Sequence, residues 1–377
     1  MAIPINPLSD KSVAYRSVVD FYSARSSFAI PRKVILCLTD RCNMRCNMCT
    51  LQHTTVEKKE LEVSDWVEAI EELSWAKPTF LLFGGEPLLY ENVGSLLDFL
   101  CQRDCPVEVV TNGFFLEKYV DKLIAVDARV TVSMSGVDKV HDNIKNCPNS
   151  FQRIAGFFDF LSRHAPAYFS NVGVNCVMTP DNIDGIEELI HFLSSYPIHS
   201  LSLQHMQFSS VALRNMTDQF WKKAFGDAFT LVLEPNVSYE YDDASLNRHH
   251  RTHKRIKLLS SVVKKWSGKM NISFFPALDS PDIDNYYSDR RHFLCGKDNV
   301  CLKPWRVPTI CPNGDISNCS GMVLGNIKKQ SFWKIWNGEK NNSFRDSLIS
   351  HGSFPFCTRC CSFYEKYDLS GKLNVDE

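Results

Sequence analysis

Three cysteines stand close together near the N-terminal end of the chain: Cys42, Cys46 and Cys49, with the spacing Cys-x3-Cys-x2-Cys. Thiolates at this spacing can bind three irons of a cubane iron–sulfur cluster, which leaves the fourth iron without a protein ligand. Electron-transfer clusters commonly have four cysteine ligands, so the triplet indicates an iron that stays open for a substrate. The alternatives are a zinc knuckle and a chance group of cysteines, since short motifs also occur by chance.

Further polar motifs occur at regular intervals after the triplet. Gly84, Gly85 and Glu86 form a Gly-Gly-Glu-Pro segment, in which the glycines let backbone approach a ligand closely and Glu86 adds a carboxylate; a tight turn is the alternative interpretation. Ser133 and Ser135 would share one face of a strand, because side chains alternate along a strand with a period of two. These motifs could bind a polar ligand beside the cysteines.

The bulk composition limits the classes of function. Lys plus Arg (42) nearly equals Asp plus Glu (43), so no basic field favours nucleic acid. The chain has 15 cysteines at short spacings and no signal-peptide pattern, which favours a reducing cytoplasm over a secreted disulfide scaffold. No uncharged apolar run approaches the roughly 18 residues of a membrane-spanning helix. We therefore expect a soluble, cytoplasmic protein.

The motifs must be positioned by an alternation of strands and helices, which predicts βαβ units and a parallel sheet. Six predicted strands indicate an α/β fold with a partial (β/α)6 TIM-type barrel, open on one side, whose chemistry lies on the loops after the strands. The predicted strands are 32–39, 79–83, 107–111, 129–135, 171–179 and 200–205, and the predicted helices between them are 64–75 (with Ser64 as N-cap), 93–101, 116–125, 151–163 and 183–194.

We divide the chain into four parts. Residues 1–30 are predicted to be an N-terminal arm with a short helix near 13–22, and residues 31–210 to be the barrel. Residues 211–293 form a linker or insert with a helix near 219–233, and residues 294–377 a smaller cluster-binding domain. The basic stretch 247–257 is a solvated helix face or a patch for an anionic group.

The triplet and the strand-end motifs resemble the radical S-adenosylmethionine (SAM) superfamily, in which SAM chelates the open iron of a 4Fe–4S cluster and is cleaved to methionine and a 5′-deoxyadenosyl radical. The resemblance implies that Gly84, Gly85 and Glu86 hold the amino group of SAM, and that an external flavodoxin- or ferredoxin-type protein donates the electron. The remaining contacts to SAM that it implies come from Met48 (adenine, where many relatives have an aromatic residue), Thr111 and Asn112 in a Thr-Asn-Gly turn, Ser133 and Ser135 (carboxylate or ribose) and Asn175 (ribose).

The C-terminal cysteines resemble the twitch or SPASM-like extension of the same superfamily, over residues 295–361. The resemblance implies one auxiliary 4Fe–4S cluster with the ligands Cys301, Cys319, Cys357 and Cys360; a structural zinc site with four thiolates is the alternative. Three further cysteines lie near this motif and are alternative ligands or hydrogen-atom donors: Cys295, the candidate donor that we select, Cys311 and Cys361.

The resemblance implies hydrogen-atom abstraction from a substrate whose identity the residues do not encode. We expect a small molecule, such as a carbohydrate or aminocyclitol, that is oxidised or epimerised. Tyr286, Tyr287, Arg290 and Arg291 are candidate contributors to its pocket, with a surface loop as the alternative. Maturation of a ribosomally made peptide is the rival within the family, and a non-catalytic iron–sulfur or zinc scaffold is the rival outside it.

Overall fold

The structure is a computed structural model, which describes residues 28–49, 59–207, 211–225, 243–266, 268–278, 280–287, 301–319, 322–351, 354–355, 357 and 360. Several predictions fall outside these residues: the helix near 13–22, the part of the helix near 219–233 that follows residue 225, and the side chains of Arg290, Arg291, Cys295 and Cys361. In the described part of the chain no helix combines the length and the apolarity needed to cross a bilayer.

The core of the fold is a parallel sheet whose first six strands are neighbours in sequence order. The strands are β1 (Lys33–Thr39), β2 (Thr79–Gly84), β3 (Val107–Thr111), β4 (Arg129–Ser133), β5 (Val172–Met178) and β6 (Ser200–His205). The connecting helices are α1 (Val63–Ser74), α2 (Val93–Gln102), α3 (Leu116–Ala125), α4 (Asp138–Lys145), α5 (Ser150–His164) and α6 (Ile186–Leu193). This confirms the predicted α/β partial barrel.

The sheet continues beyond these six strands in both directions. After α7 (Val211–Phe225) and α8 (Asp243–Trp266), strand β7 (Ile272–Phe275) pairs in parallel with β6, and α9 (Ser280–Tyr287) follows. The prediction of six strands therefore missed a seventh. Three of its four residues are apolar, but a run of four residues is too short for its pattern to identify a strand.

The C-terminal domain is joined to the other side of the same sheet. Strand β8 (Thr309–Ile310) pairs in parallel with β1, and β9 (Asp315–Ser317) and β10 (Val323–Asn326) follow as an antiparallel ribbon. Helices α10 (Lys303–Arg306), α11 (Phe332–Trp336) and α12 (Glu339–His351) complete the described part of this domain. Within the described residues the sheet has two edges, β7 and β10, and does not close.

Alternation along the strands gives the sheet two different faces. In β1, Val34, Leu36 and Leu38 are fully buried and belong to one core cluster with the helices, whereas the intervening side chains are partly exposed. The partly exposed positions face the open interior of the barrel, where Lys33 of β1 forms an ion pair with Glu108 of β3 (2.6 Å). One face thus provides hydrophobic stabilisation, and the other is available for ligands.

The start of α1 differs from the prediction. The helix begins at Val63, and the N-cap residue is Glu62 rather than Ser64. Asp65, the third residue of the helix, accepts a hydrogen bond from the backbone N–H of Glu62 (3.0 Å). Carboxylates near a helix N-terminus also interact favourably with the helix dipole, which explains why an acidic cap replaces the serine that the usual preferences favour.

Candidate functional site

The cysteine triplet lies on the loop that leaves the carboxyl end of β1. Cys42, Cys46 and Cys49 are all partly exposed. The loop, which we call the cluster loop (residues 40–49), is held against the end of α4. The backbone N–H groups of Arg45 and Asn47 donate to the carbonyls of Lys145 (3.1 Å) and Ile144 (2.9 Å). The three thiols therefore stand on a segment that is fixed at the carboxyl edge of the sheet.

The surroundings of the thiols suit ligands of an iron–sulfur cluster. The backbone N–H of Met44 donates to Sγ of Cys42 (3.4 Å), and the side-chain amide of Asn112 lies 3.8 Å from the same sulfur. Hydrogen bonds to the sulfurs are one means by which a protein tunes a cluster. Burial raises the pKa of Cys46 above its ordinary value, and the ammonium group of Lys145 acts in the opposite direction. The donor set fits a cluster with three protein ligands.

Gly84 and Gly85 pack on the backbone where β1 ends and the cluster loop begins. The N–H of Gly85 donates to the carbonyl of Thr39 (2.7 Å), and the N–H of Glu86 donates to the carbonyl of Arg41 (2.9 Å). A Cβ on Gly84 would lie 2.4 Å from the oxygen of Thr39, and one on Gly85 would lie 2.2 Å from the oxygen of Arg41. The glycines are therefore required for close contact within the protein, and their predicted contact with SAM stays a prediction.

Glu86 is fully buried between the ends of β2 and β3. One carboxylate oxygen accepts hydrogen bonds from the Thr111 hydroxyl (2.7 Å) and from the backbone N–H of Leu88 (3.1 Å), and the other accepts from the N–H of Asn112 (2.7 Å). Burial raises the pKa of Glu86 to about 7, although these hydrogen bonds lower it. A carboxylate has about four acceptor positions, of which three are filled in the described part of the chain; the predicted contact with the amino group of SAM stays a prediction.

The Thr-Asn-Gly turn joins this carboxylate to the cluster loop. The side-chain amide of Asn112 donates to Oδ1 of Asn43 on that loop (2.8 Å), and its own Oδ1 accepts from the N–H of Phe114 (3.0 Å). Gly113 adopts a φ of +85°, and a Cβ there would lie 2.7 Å from Ile154. The structure thus brings Thr111, Asn112 and Glu86 together beside Cys42.

The predicted ribose and carboxylate contacts lie on the next strands. Ser133 ends β4 and pairs in register with Asn175 of β5, and both are partly exposed toward the barrel interior. The amide of Asn175 donates to Oε1 of Gln204 on β6 (2.8 Å). Ser135 lies beyond the end of the strand, where it is buried and donates its N–H to His141 (3.1 Å). Of the two serines, only Ser133 therefore lies on β4.

Met48 and the two tyrosines of α9 complete the predicted contacts that can be placed. Met48, on the cluster loop, is partly buried and packs against the hydrophobic core. Tyr286 and Tyr287 are each 1% exposed. The Tyr287 hydroxyl forms a hydrogen bond with Nδ1 of His205 (2.9 Å), and the Tyr286 hydroxyl donates to the carbonyl of Met206 (3.1 Å). These tyrosines pack α9 against β6 instead of forming a surface loop.

The four cysteines of the C-terminal domain are close enough to influence one another. Burial raises the pKa of Cys301, and Cys360 and Cys319 raise it further; the pKa of Cys357 is raised by burial and then by the other three thiols. Among the described residues no three Cys, His, Asp or Glu side chains converge as around a single metal ion. The mutual effects of the four thiols agree with the predicted auxiliary cluster, and their assignment as its ligands stays a prediction.

No helix was predicted from the sequence at α4, and its role was therefore missed. Ile144, His141 and Lys145 are buried on one face of this helix, and Lys145 acts electrostatically on Cys46 and Glu86. The spacing of His141 and Ile144, three residues apart, is the helical signal that could have revealed it. Gln204 gave no such signal, because its contact with Asn175 depends on the pairing of two strands.

Comparisons with known families agree with this geometry. Residues 36–193 match the radical SAM superfamily, and residues 301–361 match an iron–sulfur cluster-binding domain of the SPASM type. Both cysteine groups fall within these two matches.

Individual relatives are distant. A GTP 3′,8-cyclase of Aquifex aeolicus is 26% identical over 296 residues, which are 73% of this chain and 89% of the relative. The subtilosin biosynthesis protein AlbA of Bacillus subtilis is 26% identical over 38% of this chain and 33% of its own length. The solved structure of Streptococcus suis SuiB bound to its precursor peptide SuiA has a TM-score of 0.59 at 13% identity, and covers 98% of this chain and 78% of that chain. The structural likeness shows the fold.

Proposed function

Because the chain belongs to the radical SAM superfamily and carries a SPASM-type auxiliary cluster domain, we propose that it is a maturase that modifies a side chain of a ribosomally made peptide. Its cofactors are SAM, the SAM-binding 4Fe–4S cluster and an auxiliary 4Fe–4S cluster. When bound, the first cluster and SAM supply the radical that abstracts a hydrogen atom from the substrate. We assign Cys42, Cys46 and Cys49 to the first cluster, and the four C-terminal cysteines to the auxiliary one.

The residues around the first cluster would hold SAM at the carboxyl edge of the sheet. Glu86 would receive the amino group, because a cation beside a buried carboxylate gains a charge-assisted hydrogen bond, and the described residues fill three of its roughly four acceptor positions. Ser133 and Asn175 are adjacent on neighbouring strands and would bind the carboxylate and ribose of SAM. An external electron donor is required for the cluster, and we propose a protein of the flavodoxin or ferredoxin type.

The observation that favours a peptide is the architecture shared with SuiB along 98% of this chain, since that structure was solved with a precursor peptide. The open barrel agrees with such a substrate. The sheet does not close within the described residues, so a chain-like substrate could enter from the side. Phe83 at the end of β2 is 40% exposed and lies in register with Cys37 of β1, which provides an apolar surface in the mouth of the barrel.

A small molecule is the second candidate, as we expected from the sequence. One observation favours it: the GTP 3′,8-cyclase of Aquifex aeolicus, whose name gives a nucleotide as its substrate, matches over 73% of this chain. Oxidation and epimerisation are then the two proposed outcomes. The two candidates differ in the size of the molecule that loses a hydrogen atom, which makes them experimentally separable.

The experiment uses the anaerobically reconstituted protein, SAM, a low-potential reductant and a lysate of the source cells grown in D2O. The lysate is separated by size into a peptide fraction and a small-molecule fraction. Mass spectrometry then measures the deuterium that each fraction transfers into 5′-deoxyadenosine, with the variant Cys42→Ala/Cys46→Ala/Cys49→Ala as the control.

The proposal predicts deuterium transfer from the peptide fraction, and its loss after protease treatment of that fraction. Transfer from the small-molecule fraction alone would replace the peptide proposal with the second candidate. If the reduced protein forms no 5′-deoxyadenosine at all, the scaffold interpretation applies instead.

A further inference from the structure

We propose that His141 is a positioning residue: through α4 it fixes the loop after β4 relative to the cluster loop, and so sets how SAM lies between them. The inference rests on the proposed contact of Ser133 and Ser135 with SAM. It does not depend on whether the substrate is a peptide or a small molecule.

The imidazole of His141 is fully buried and has few polar contacts among the described residues. Nδ1 of His141 accepts the backbone N–H of Ser135 (3.1 Å), and the ring is 0% exposed. Nδ1 can accept only if the ring is neutral with its hydrogen on Nε2; burial lowers the pKa of His141 to about 3, which satisfies this condition. Nε2 is buried and has no hydrogen-bond partner among the described residues. The contact with Ser135 is therefore the hydrogen bond that this ring makes in the described structure.

The second observation is at the other end of the same helix. The carbonyls of Ile144 and Lys145 accept the N–H groups of Asn47 and Arg45 on the cluster loop. The last carbonyls of a helix lack partners within the helix, so the cluster loop satisfies them. His141 and Lys145 are separated by about 6 Å along a helix that rises 1.5 Å per residue. One rigid element thus contacts both loops between which SAM must fit.

The backbone from Ser135 to the start of α4 explains why the loop after β4 needs a fixed point. Gly136 follows Ser135 with a φ of +150°, and a Cβ there would lie 2.8 Å from Val140 of α4. The loop turns sharply at this glycine and then enters α4. The N–H of Ser135 is buried, and an unpaired buried N–H is destabilising. Without the acceptor on His141, the loop would therefore shift to find another partner, and Ser133 and Ser135 would move with it.

The test compares two substitutions of similar polarity. His141→Asn places an amide oxygen where Nδ1 stands, whereas His141→Gln carries its amide farther out, near the place of Nε2. His199 is an exposed residue just before β6, at the amino ends of the strands and so away from the cluster loop. It receives the same two substitutions as the matched control. Each reconstituted variant is measured for iron content, thermal unfolding and the change in the EPR spectrum of the reduced cluster on adding SAM. Formation of 5′-deoxyadenosine without substrate is followed over a range of SAM concentrations, which separates the KM for SAM from the maximal rate.

We expect His141→Gln to raise the KM for SAM about tenfold, equivalent to ~1.4 kcal/mol, with a smaller effect on the maximal rate and unchanged iron content. His141→Asn should restore the KM to within about threefold, and both His199 variants should behave as wild type. Equal effects of Asn and Gln at position 141, in either direction, would overturn the proposal and leave His141 as a packing residue.

The assignment on which the proposal rests can fail separately. If Ser133→Ala and Ser135→Ala both leave the KM for SAM unchanged, these serines do not contact SAM. Such a result would remove the premise, and it is distinguishable from equal effects of Asn and Gln at His141.

Discussion

Replacing Gly85 with alanine should disable the cluster site through a single methyl group. Its Cβ would lie 2.2 Å from the carbonyl oxygen of Arg41, 2.7 Å from the carbonyl carbon of the same residue and 2.8 Å from the oxygen of Asp40. All three atoms belong to the backbone of the cluster loop, which cannot rotate away as a flexible side chain could. The hydrogen bond from Glu86 to Arg41 (2.9 Å) holds the two segments at this separation.

The size of the effect follows from the overlap. Non-bonded heavy atoms attract best at about 3.5–4.0 Å, so the segments must separate by more than about 1 Å. Arg41 immediately precedes Cys42, and the displacement is therefore transmitted directly to the first cluster ligand. A misplacement of about 1 Å can reduce a rate by ~10²-fold. We expect the rate of 5′-deoxyadenosine formation by Gly85→Ala to fall by about this factor.

The assay measures 5′-deoxyadenosine formed by the anaerobically reconstituted, reduced protein, together with its iron content and thermal unfolding. Gly156→Ala is the control, because this glycine lies in α5 with no atom within 4 Å of an added Cβ; it should keep full activity and gain up to ~1 kcal/mol of stability. A Gly85→Ala protein with normal iron content and a rate within about threefold of wild type would refute the steric argument.

Three further predictions concern charge and cluster content. Burial raises the pKa of Glu86 to about 7, so the folded apoprotein retains a proton that the unfolded chain releases near pH 4.5. Its free energy of unfolding should therefore fall by up to about 3 kcal/mol as the pH rises through this range; denaturant titrations of Glu86→Gln should lack this slope, and a persisting slope would contradict the assignment. Lys145→Met should lower the reduction potential of the first cluster in an EPR titration, because a buried cation favours the more negative reduced state, whereas Lys145→Arg should preserve it. Iron analysis of the variant Cys42→Ala/Cys46→Ala/Cys49→Ala should give about four Fe per chain instead of about eight, and an unchanged iron content would exclude these ligands.

Local sequence was sufficient for most of the fold. Strands β3 and β6 and helix α3 begin and end where the sequence predicts. In each of them the apolar pattern runs through the whole element and is bounded by turn residues. Strand β7 and helix α4 were missed because both are short: the strand has four residues and the helix has eight.

The site shows the same division between local and long-range information. The sequence placed a ligand-binding carboxylate at Glu86, but its partners Thr111 and Asn112 lie 25 and 26 residues away. The glycines before it were predicted to let backbone approach a ligand, and in the structure they allow two backbone segments of the protein itself to approach each other. The second segment is the end of β1 with the start of the cluster loop, about 45 residues earlier in the chain, and no local pattern could identify it.

The amino-acid sequence by itself therefore determined the chemistry: two groups of thiols, their spacing, and the polar motifs at strand ends that mark a radical SAM enzyme. These are properties of residue type and short spacing. Only the tertiary structure decided how the parts are held together, with Gly85 against Arg41, Glu86 between two strand ends, and α4 between the cluster loop and the loop after β4. Such contacts arise when parallel strands align their carboxyl ends at one edge, which is a consequence of the complete sheet and not of any single segment.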